Sequence, residues 1–570
     1  MPTYRPTITG ARHMISAGHY SATFAGFQML EAGGNAIDAG VAAGICLGVL
    51  QTDRVNFAGV APIMMYLAET GEVVNIDGLG TWPKAASLAH FNEKCGGKMP
   101  PGILRTVMPA APASWITALE RYGTMSFGEV AKEAVRLARE GFAMHGFMAD
   151  YITDHEASYR RWPSSAAVFL PNGRPPAVGE IFKQTDLAAS IQYMIDEEAA
   201  YRSKGRSAGL KAARDAFYKG DIAKKIVRYH EENEGWVTAD DLASYDVSLE
   251  KPAHTKFQGV DVYACGPWSQ GPVLPQTLNL LSGYDLKAMG HNSPEYIHTI
   301  IEALKLSFAD RHRYYGDPKF VRVPMDVLLS DSYADERRKR IDPNAASPGL
   351  PAAGDVPGYP PGPKLPAPAS GNPNPPADTS YVCVVDRHGN AFSSTPSDGS
   401  SAMPIIPGTG LCPSSRGSQN WCDPAIPAVM APGKRPRLTP SPALALKDGK
   451  LLMPFGSPGN DIQPQAMTQV FLNVVVWGME PQAAVEAPRF ATYSFPSSSE
   501  PHAYHPGRVN VESRIDQATF DKLAQVGHKV GPWDPLEWRA GAVCAIRVNR
   551  NNGLLEGAAD PRRPCYALGL

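Results

Sequence analysis

Cysteine is sparse and unpatterned in this chain: eight in 570 residues, at positions 46, 95, 265, 383, 412, 422, 544 and 565. No CxxC pair and no Cys/His spacing suited to zinc occurs, so a zinc ribbon or finger is excluded as the organising element. A chain this long makes its own core, so buried free thiols are expected, with one or two disulfides left open. Long apolar runs are missing too. The longest, Ala39 to Leu50, carries glycines and falls short of the ~18 residues of a membrane-spanning helix. The opening MPTYRPTITGARHMISAGHYSATFAG lacks the apolar core of a secretory signal, and a cytoplasmic location is the expectation. Charge of one sign is also lacking. A net charge of −2 gives no electrostatic reason to propose nucleic acid or an anionic membrane as partner.

What is present is an ordinary globular composition, 43% hydrophobic and 19% charged. At ~100–200 residues per domain, the length implies two or three lobes, or one large fold with insertions. Ala22 to Ala32 has helical spacing and stops at Gly33-Gly34; Asn35 to Asp38 opens a second, small-residue helix through Leu50, suited to close packing. Ile63–Leu67 and Val73–Ile76 flank a Gly-containing turn and read as a hairpin. Pro109 to Tyr122 and Ser126 to Gly141 read as helices, as does Pro294 to Tyr315. The polar cluster Asp310-Arg311-His312-Arg313 at the end of that last helix is expected to be a solvated or salt-bridged terminus, with a catalytic role as the alternative.

Residues 343–378 differ in kind, being about one-third proline. Such a segment cannot build a core and is expected to be extended or mobile, as a linker or as a processing segment. At Thr379 the pattern switches to alternating β-type sequence. Thr379 to Val385 reads as a strand, with Ala391 to Thr395 returning from a turn. A second hairpin joins Ala443–Leu446 to Leu451–Phe455 through an Asp-Gly turn, and Ile462 to Met479 reads as a helix.

A hydroxyl residue at this junction has a chemical use. Cutting Asp378-Thr379 would expose a threonine carrying both a nucleophile and, in its α-amine, a base. A free α-amine has a pKa near ~7.7–8.0, so it is partly neutral at physiological pH and can take the hydroxyl proton. Before the cut that base does not exist, so the precursor is inert. The loop Gly456-Ser457-Pro458-Gly459-Asn460, between a strand and a helix, offers backbone N–H groups for an oxyanion, although such turns also serve packing alone.

With these features in place, the chain resembles the γ-glutamyltranspeptidases over nearly its whole length. The resemblance rests on Leu30 to Ala39 (LEAGGNAIDA), Tyr284 to Lys287, Gly290 to Ser293, Phe308 to Arg311 and Tyr315 to Pro318. It continues through Thr379 to Asp386, Ala431 to Pro436, Gly456 to Gly459 and Glu486 to Phe490. It implies an α+β fold, the αββα sandwich of N-terminal-nucleophile hydrolases. It also implies self-processing into a large subunit, 1–378, with a Pro-rich tail at 343–378, and a small subunit, 379–570. Two such heterodimers pairing further is compatible with it. By position, Thr379 is the nucleophile and the processing residue, Gly459 and Asn460 form the oxyanion hole, and Ser397 supports the nucleophile. No metal and no cofactor enter this chemistry.

The substrate grip departs from the family pattern. The family's α-carboxylate arginine follows a Leu/Ile-Asp pair; here Ile76-Asp77 is followed by Gly78-Leu79-Gly80. Leu438-Thr439 stand where two serines are usual, Ser418 near the slot of an acidic residue, and Gly399 near that of an asparagine. Losing several charge-assisted contacts of about 1.5–3 kcal/mol each removes most affinity for a glutamyl zwitterion. Arg416, Asn420, Arg437 and Thr439 are the candidate contacts for a different substrate. The loop Gly459 to Gln465 is similar to that of family members acting on other small amides, oxamate amidohydrolase among them. Three readings follow: a self-processing amidohydrolase acting on a small amide, a γ-glutamyltransferase or glutathione hydrolase with an atypical grip, and an unprocessed binding or structural homologue.

Overall fold

Alternation along the strand after Thr379 sets the architecture. In the computed structural model, which describes residues 3–373 and 378–570, Val382 and Val384 belong to one apolar core and Tyr381, Cys383 and Val385 to another. A strand that is apolar on both faces requires a sheet covered on both sides. That strand, Val382–Val385, sits third in a seven-stranded antiparallel sheet. The order is Tyr566–Gly569, Met14–Ala17, Val382–Val385, Ala391–Ser394, Ile63–Leu67, Glu72–Ile76 and Leu249–Glu250. A second seven-stranded sheet runs Ile8–Gly10, Leu555–Ala559, Cys544–Val548, Lys450–Gly456, Ala443–Lys447, Val260–Ala264 and Ala253–Phe257. Tyr381, Cys383, Leu444, Leu446, Cys544 and Ile546 fill the layer between the sheets.

Helices cover both outer faces. Ala36–Leu50, every residue buried, lies on the first sheet, begun by a capping box between Asn35 and Asp38. Its small residues permit this closeness: a Cβ on Gly40 would stand 2.1 Å from the Phe392 ring. Val273–Leu281 and Gln463–Val475 cover the second sheet, and Pro294–Tyr314 packs outside them on Val273–Leu281. This is the expected αββα sandwich. Each sheet combines strands from both sides of residue 379, so 1–378 and 379–570 are not separate domains.

The structure corrects several expectations. The strand starts at Val382 instead of Thr379, because Thr379 has φ +76° and leaves the β conformation. Its N–H donates to Arg54 O at 3.0 Å, and Ser380 N–H to Pro396 O at 3.0 Å, outside the ladder. The helix expected over Ile462–Met479 is Gln463–Val475, preceded by a 3₁₀ turn and stopped before Gly478 at φ +65°. Of the two forms expected for the polar run, the salt-bridged one is found: Arg311 pairs with Asp461, Arg313 with Asp355 and Asp310 with Arg337, and Asp310, Arg311 and His312 are buried rather than solvated. Residues 343–373 contain no helix or strand, as an extended segment should, but they do not hang free. Tyr314 donates to Gly354 O at 2.6 Å, Arg313 to Pro360 O, and Ala369 N–H to Tyr504 O. Expectations for 374–377 lie outside the described residues. All eight cysteines are free thiols. Among the described residues, no helix is long and apolar enough to cross a membrane.

Candidate active site

The left-handed turn at Thr379 aims its side chain away from the strand and into a ring of polar groups. A β-branched residue at φ +76° is strained, by about 1–3 kcal/mol, and persists only where its surroundings hold it. Here four side chains hold it. Thr379 Oγ1 donates to Asp378 Oδ1 at 2.8 Å and lies 2.6 Å from Ser397 Oγ. Arg416 closes the ring, pairing with Asp378 Oδ2 at 2.8 Å and donating to Ser397 Oγ. With the Thr379 proton on the carboxylate side, Ser397 gives its own proton to Thr379 Oγ1. Asp398, 3.7 Å from Arg416 Nε, accepts from Ser415 N–H at 2.9 Å and anchors the ring from behind; burial pushes its carboxyl pKa up despite Arg416. Thr379 is 1% exposed.

The loop after strand Lys450–Gly456 packs against this point, since a Cβ on Gly456 would stand 2.2 Å from the Tyr381 ring. Gly459 (φ +120°) and Asn460 (φ +54°) turn the chain, and neither N–H is hydrogen-bonded to any described residue. Two unused amides in one turn are what an oxyanion hole requires. Buried groups fix the loop from behind. Gln270 donates to Asn460 O at 2.8 Å and to Thr439 O at 3.0 Å. Arg311 donates to Gln270 Oε1 at 3.1 Å and to Ser498 Oγ at 2.9 Å, and pairs with Asp461.

A cavity of about 700 Å³ opens beside Asp378 and Arg416, lined also by Lys94, Lys98, Arg105, Gly399, Ser418 and Glu500. Gly399 and Ser418 therefore do face the substrate space, without charge. Arg105 is buried; burial lowers its pKa to about 10, which leaves it cationic at neutral pH. Burial raises the Glu500 carboxyl pKa, opposed by Arg105 and Lys98.

The other sequence candidates divide. Arg416 stands in the site. Asn420 does not: its side chain accepts from Trp82 Nε1 at 2.7 Å and donates to Ala428 O at 2.6 Å, so its polar groups are used within the fold. Thr439 accepts from Gln419 at 2.8 Å, buried behind the loop. Arg437 is likewise buried outside the cavity lining, donating to Arg311 O at 3.1 Å; burial lowers its pKa to about 9, with Arg311 adding to the effect. Sequence reasoning missed Arg105 and Glu500, which meet in the cavity only through folding, and Arg563, whose Nη1 lies 3.4 Å from Asp378 O. It also missed His298, Glu302 and His528, whose ligand-type atoms lie within 4.8 Å of one another. There Glu302 is engaged by Lys305 at 2.7 Å and His298 by Asp342 O at 2.8 Å.

A threonine heading a central strand of an αββα sandwich, a supporting serine and two free loop amides define an N-terminal-nucleophile hydrolase. Residues 22–570 match the family model described as Gamma-glutamyltranspeptidase. The chain is 31% identical over 99% of its length to the glutathione hydrolase-like YwrD proenzyme of Bacillus subtilis, 99% of which is covered. It is 33% identical over 97% of its length to the acylase ACY 1 proenzyme of Pseudomonas sp. (strain SE83), 92% of which is covered. Among solved structures, cephalosporin acylase from Bacillus halodurans superposes with a TM-score of 0.85 at 27% identity, covering 100% of this chain and 98% of that one. The chain belongs to the γ-glutamyltranspeptidase family and is an enzyme acting on amide bonds.

Proposed function

We propose that the chain cuts itself at Asp378–Thr379 and then hydrolyses small amides whose acyl group carries a carboxylate, through an acyl-Thr379 intermediate. After the cut the Thr379 amine takes the Oγ1 proton, and Oγ1 attacks the amide carbon. The Gly459 and Asn460 N–H groups hold the oxyanion, the amine returns the proton to the leaving nitrogen, and water releases the acid.

The observation that carries the substrate reading is the packing of residues 78–80. A Cβ on Gly78 would stand 2.0 Å from Ala61 O, and one on Gly80 1.8 Å from Met108 O. Leu79 is buried with Trp268 and Leu438. This stretch has neither a charge nor room for one, so the arginine grip of γ-glutamyl members has no counterpart here. Outside the Arg416–Asp378 pair, the cavity lining carries Lys94, Lys98 and Arg105 against the single carboxylate of Glu500, a balance that favours an anionic acyl group. Arg416 loses its Asp378 partner when the cut releases that chain end, and becomes the nearest cation to the nucleophile. The acylase names among the relatives accord with this reading.

One observation favours a second reading. Glu500 and Arg105 lie close enough to influence each other, and such a pair could grip a zwitterionic γ-glutamyl group. The p-nitroanilides of succinic, glutaric and γ-glutamic acid separate the two. The expected result is a kcat/KM for succinyl or glutaryl anilide at least ~10-fold above that for the γ-glutamyl compound, the worth of one lost charge-assisted contact. The reverse order would establish the zwitterion reading.

A further inference from the structure

The mature mechanism leaves the first reaction without a base. Until the Asp378–Thr379 bond is broken, Thr379 N is an amide nitrogen, and its N–H is donated to Arg54 O at 3.0 Å. Among the described residues, no histidine enters the ring around Oγ1. The group that accepts the nucleophile's proton is the side chain of the scissile residue itself, Asp378 Oδ1 at 2.8 Å. Arg416 holds the other carboxylate oxygen at 2.8 Å, which fixes Oδ1 toward the hydroxyl. The carbonyl to be attacked has its own electrophile: Arg563 Nη1 lies 3.4 Å from Asp378 O and 3.4 Å from Thr379 O.

We propose that the Asp378 carboxylate is the general base of the chain's own cleavage, with the Arg563 guanidinium stabilising the oxyanion of that step. This rests on the cut proposed above and is independent of the substrate reading. In the step, Oδ1 takes the Thr379 Oγ1 proton and Oγ1 bonds to the Asp378 carbonyl carbon. The carbon–nitrogen bond then breaks, and the proton passes from the Asp378 carboxyl to the Thr379 nitrogen, leaving an ester between Asp378 and Thr379. Water hydrolyses that ester, giving a C-terminal carboxylate on Asp378 and restoring the Thr379 hydroxyl beside a free amine. The base is used once. It ends on the large fragment, and the amine it exposes takes over the same task. Ser397, bonded to Oγ1 at 2.6 Å, serves both reactions.

The test follows conversion of newly made full-length chain to its two fragments, using cell-free synthesis stopped by a translation inhibitor. Thr379→Ala serves as the uncut reference. Asp378→Asn should slow cleavage at least ~100-fold, the lower end of what a general base contributes, while melting close to the reference. Asp378→Glu should cut faster than Asp378→Asn, and added formate should accelerate Asp378→Ala but not Thr379→Ala. Should Asp378→Ala fail to fold, the pair Asp378→Glu and Asp378→Asn decides, since only the first keeps a carboxylate beside Oγ1. Cleavage of Asp378→Asn or Asp378→Ala within about threefold of wild type, or of Asp378→Glu no faster than Asp378→Asn, would overturn the assignment. A wild-type chain that stays whole would instead overturn the proposed cut.

Discussion

Ser397 and Thr379 share one hydrogen-bond ring with two charged residues, and that ring gives Ser397 a measurable task. Its hydroxyl donates to the nucleophile oxygen at 2.6 Å while its own oxygen is fixed by Arg416. Removing the hydroxyl leaves the ring's geometry to Arg416 alone. A hydrogen bond to a charged or developing-charge group is worth about 1.5–3 kcal/mol, so Ser397→Ala should lower kcat about 10- to 100-fold with little change in KM. Steady-state kinetics on the best anilide measure this, and Ser397→Thr, which keeps the hydroxyl, should recover most of the rate. An unchanged kcat would mean the contact is packing only. At this scale the sequence was legible where geometry is local: the break in pattern at Thr379 and the turn at Gly459-Asn460 could be read directly. Asn420 and Thr439 were misread because their alignment with a grip says nothing about where Trp82, Ala428 and Gln419 have already engaged them.

Elements were legible in proportion to their periodicity. The all-buried helix Ala36–Leu50 and the hairpin Ile63–Leu67/Glu72–Ile76 announced themselves through small-residue spacing and a Gly turn. The end of Pro294–Tyr314 did not, because its meaning lies 150 residues away, in Asp461. A run of Asp-Arg-His-Arg reads as a solvated or salt-bridged helix end, and the bridge is there but buried: Arg311 is wholly buried and ties the helix to the Gly459-Asn460 loop through Asp461, Gln270 and Ser498. Breaking a buried pair from one side leaves an uncompensated charge, at a cost of about 3–5 kcal/mol. Arg311→Met should therefore lower thermal stability clearly and loosen the loop, and Asp461→Asn added to it should recover part of the loss. A calorimetric double-mutant cycle gives the coupling; additive losses would show that the pair does not position the loop.

At the scale of the whole molecule, the two stretches that flank the proposed cut contribute strands to the same sheets, so cleavage there would free a chain end without dividing the core. What that core does under acid follows from its histidines. Burial lowers the pKa of His19 and His312 to about 3 and of His230 and His502 to about 4. In the unfolded chain each returns to about 6.5. A lowered folded pKa means that the unfolded state binds more protons between the two values. The stabilisation is therefore complete above about pH 6.5 and is lost as pH falls toward the folded values. Asp77 works the other way: burial raises its pKa to about 6, partly offset by Arg435, so its contribution is present below the unfolded carboxylate range and lost as pH rises through about 6. Nine histidines with lowered pKa stand against four raised carboxyls, Asp77, Asp310, Asp398 and Glu500, which fixes the sign. The melting temperature should fall steadily from pH 6.5 to 4.5, with unfolding near pH 5 taking up protons, read from the slope of stability against pH. His230→Gln should reduce that slope by about one proton. A slope of zero across this window would mean that the core admits water and charge at these histidines.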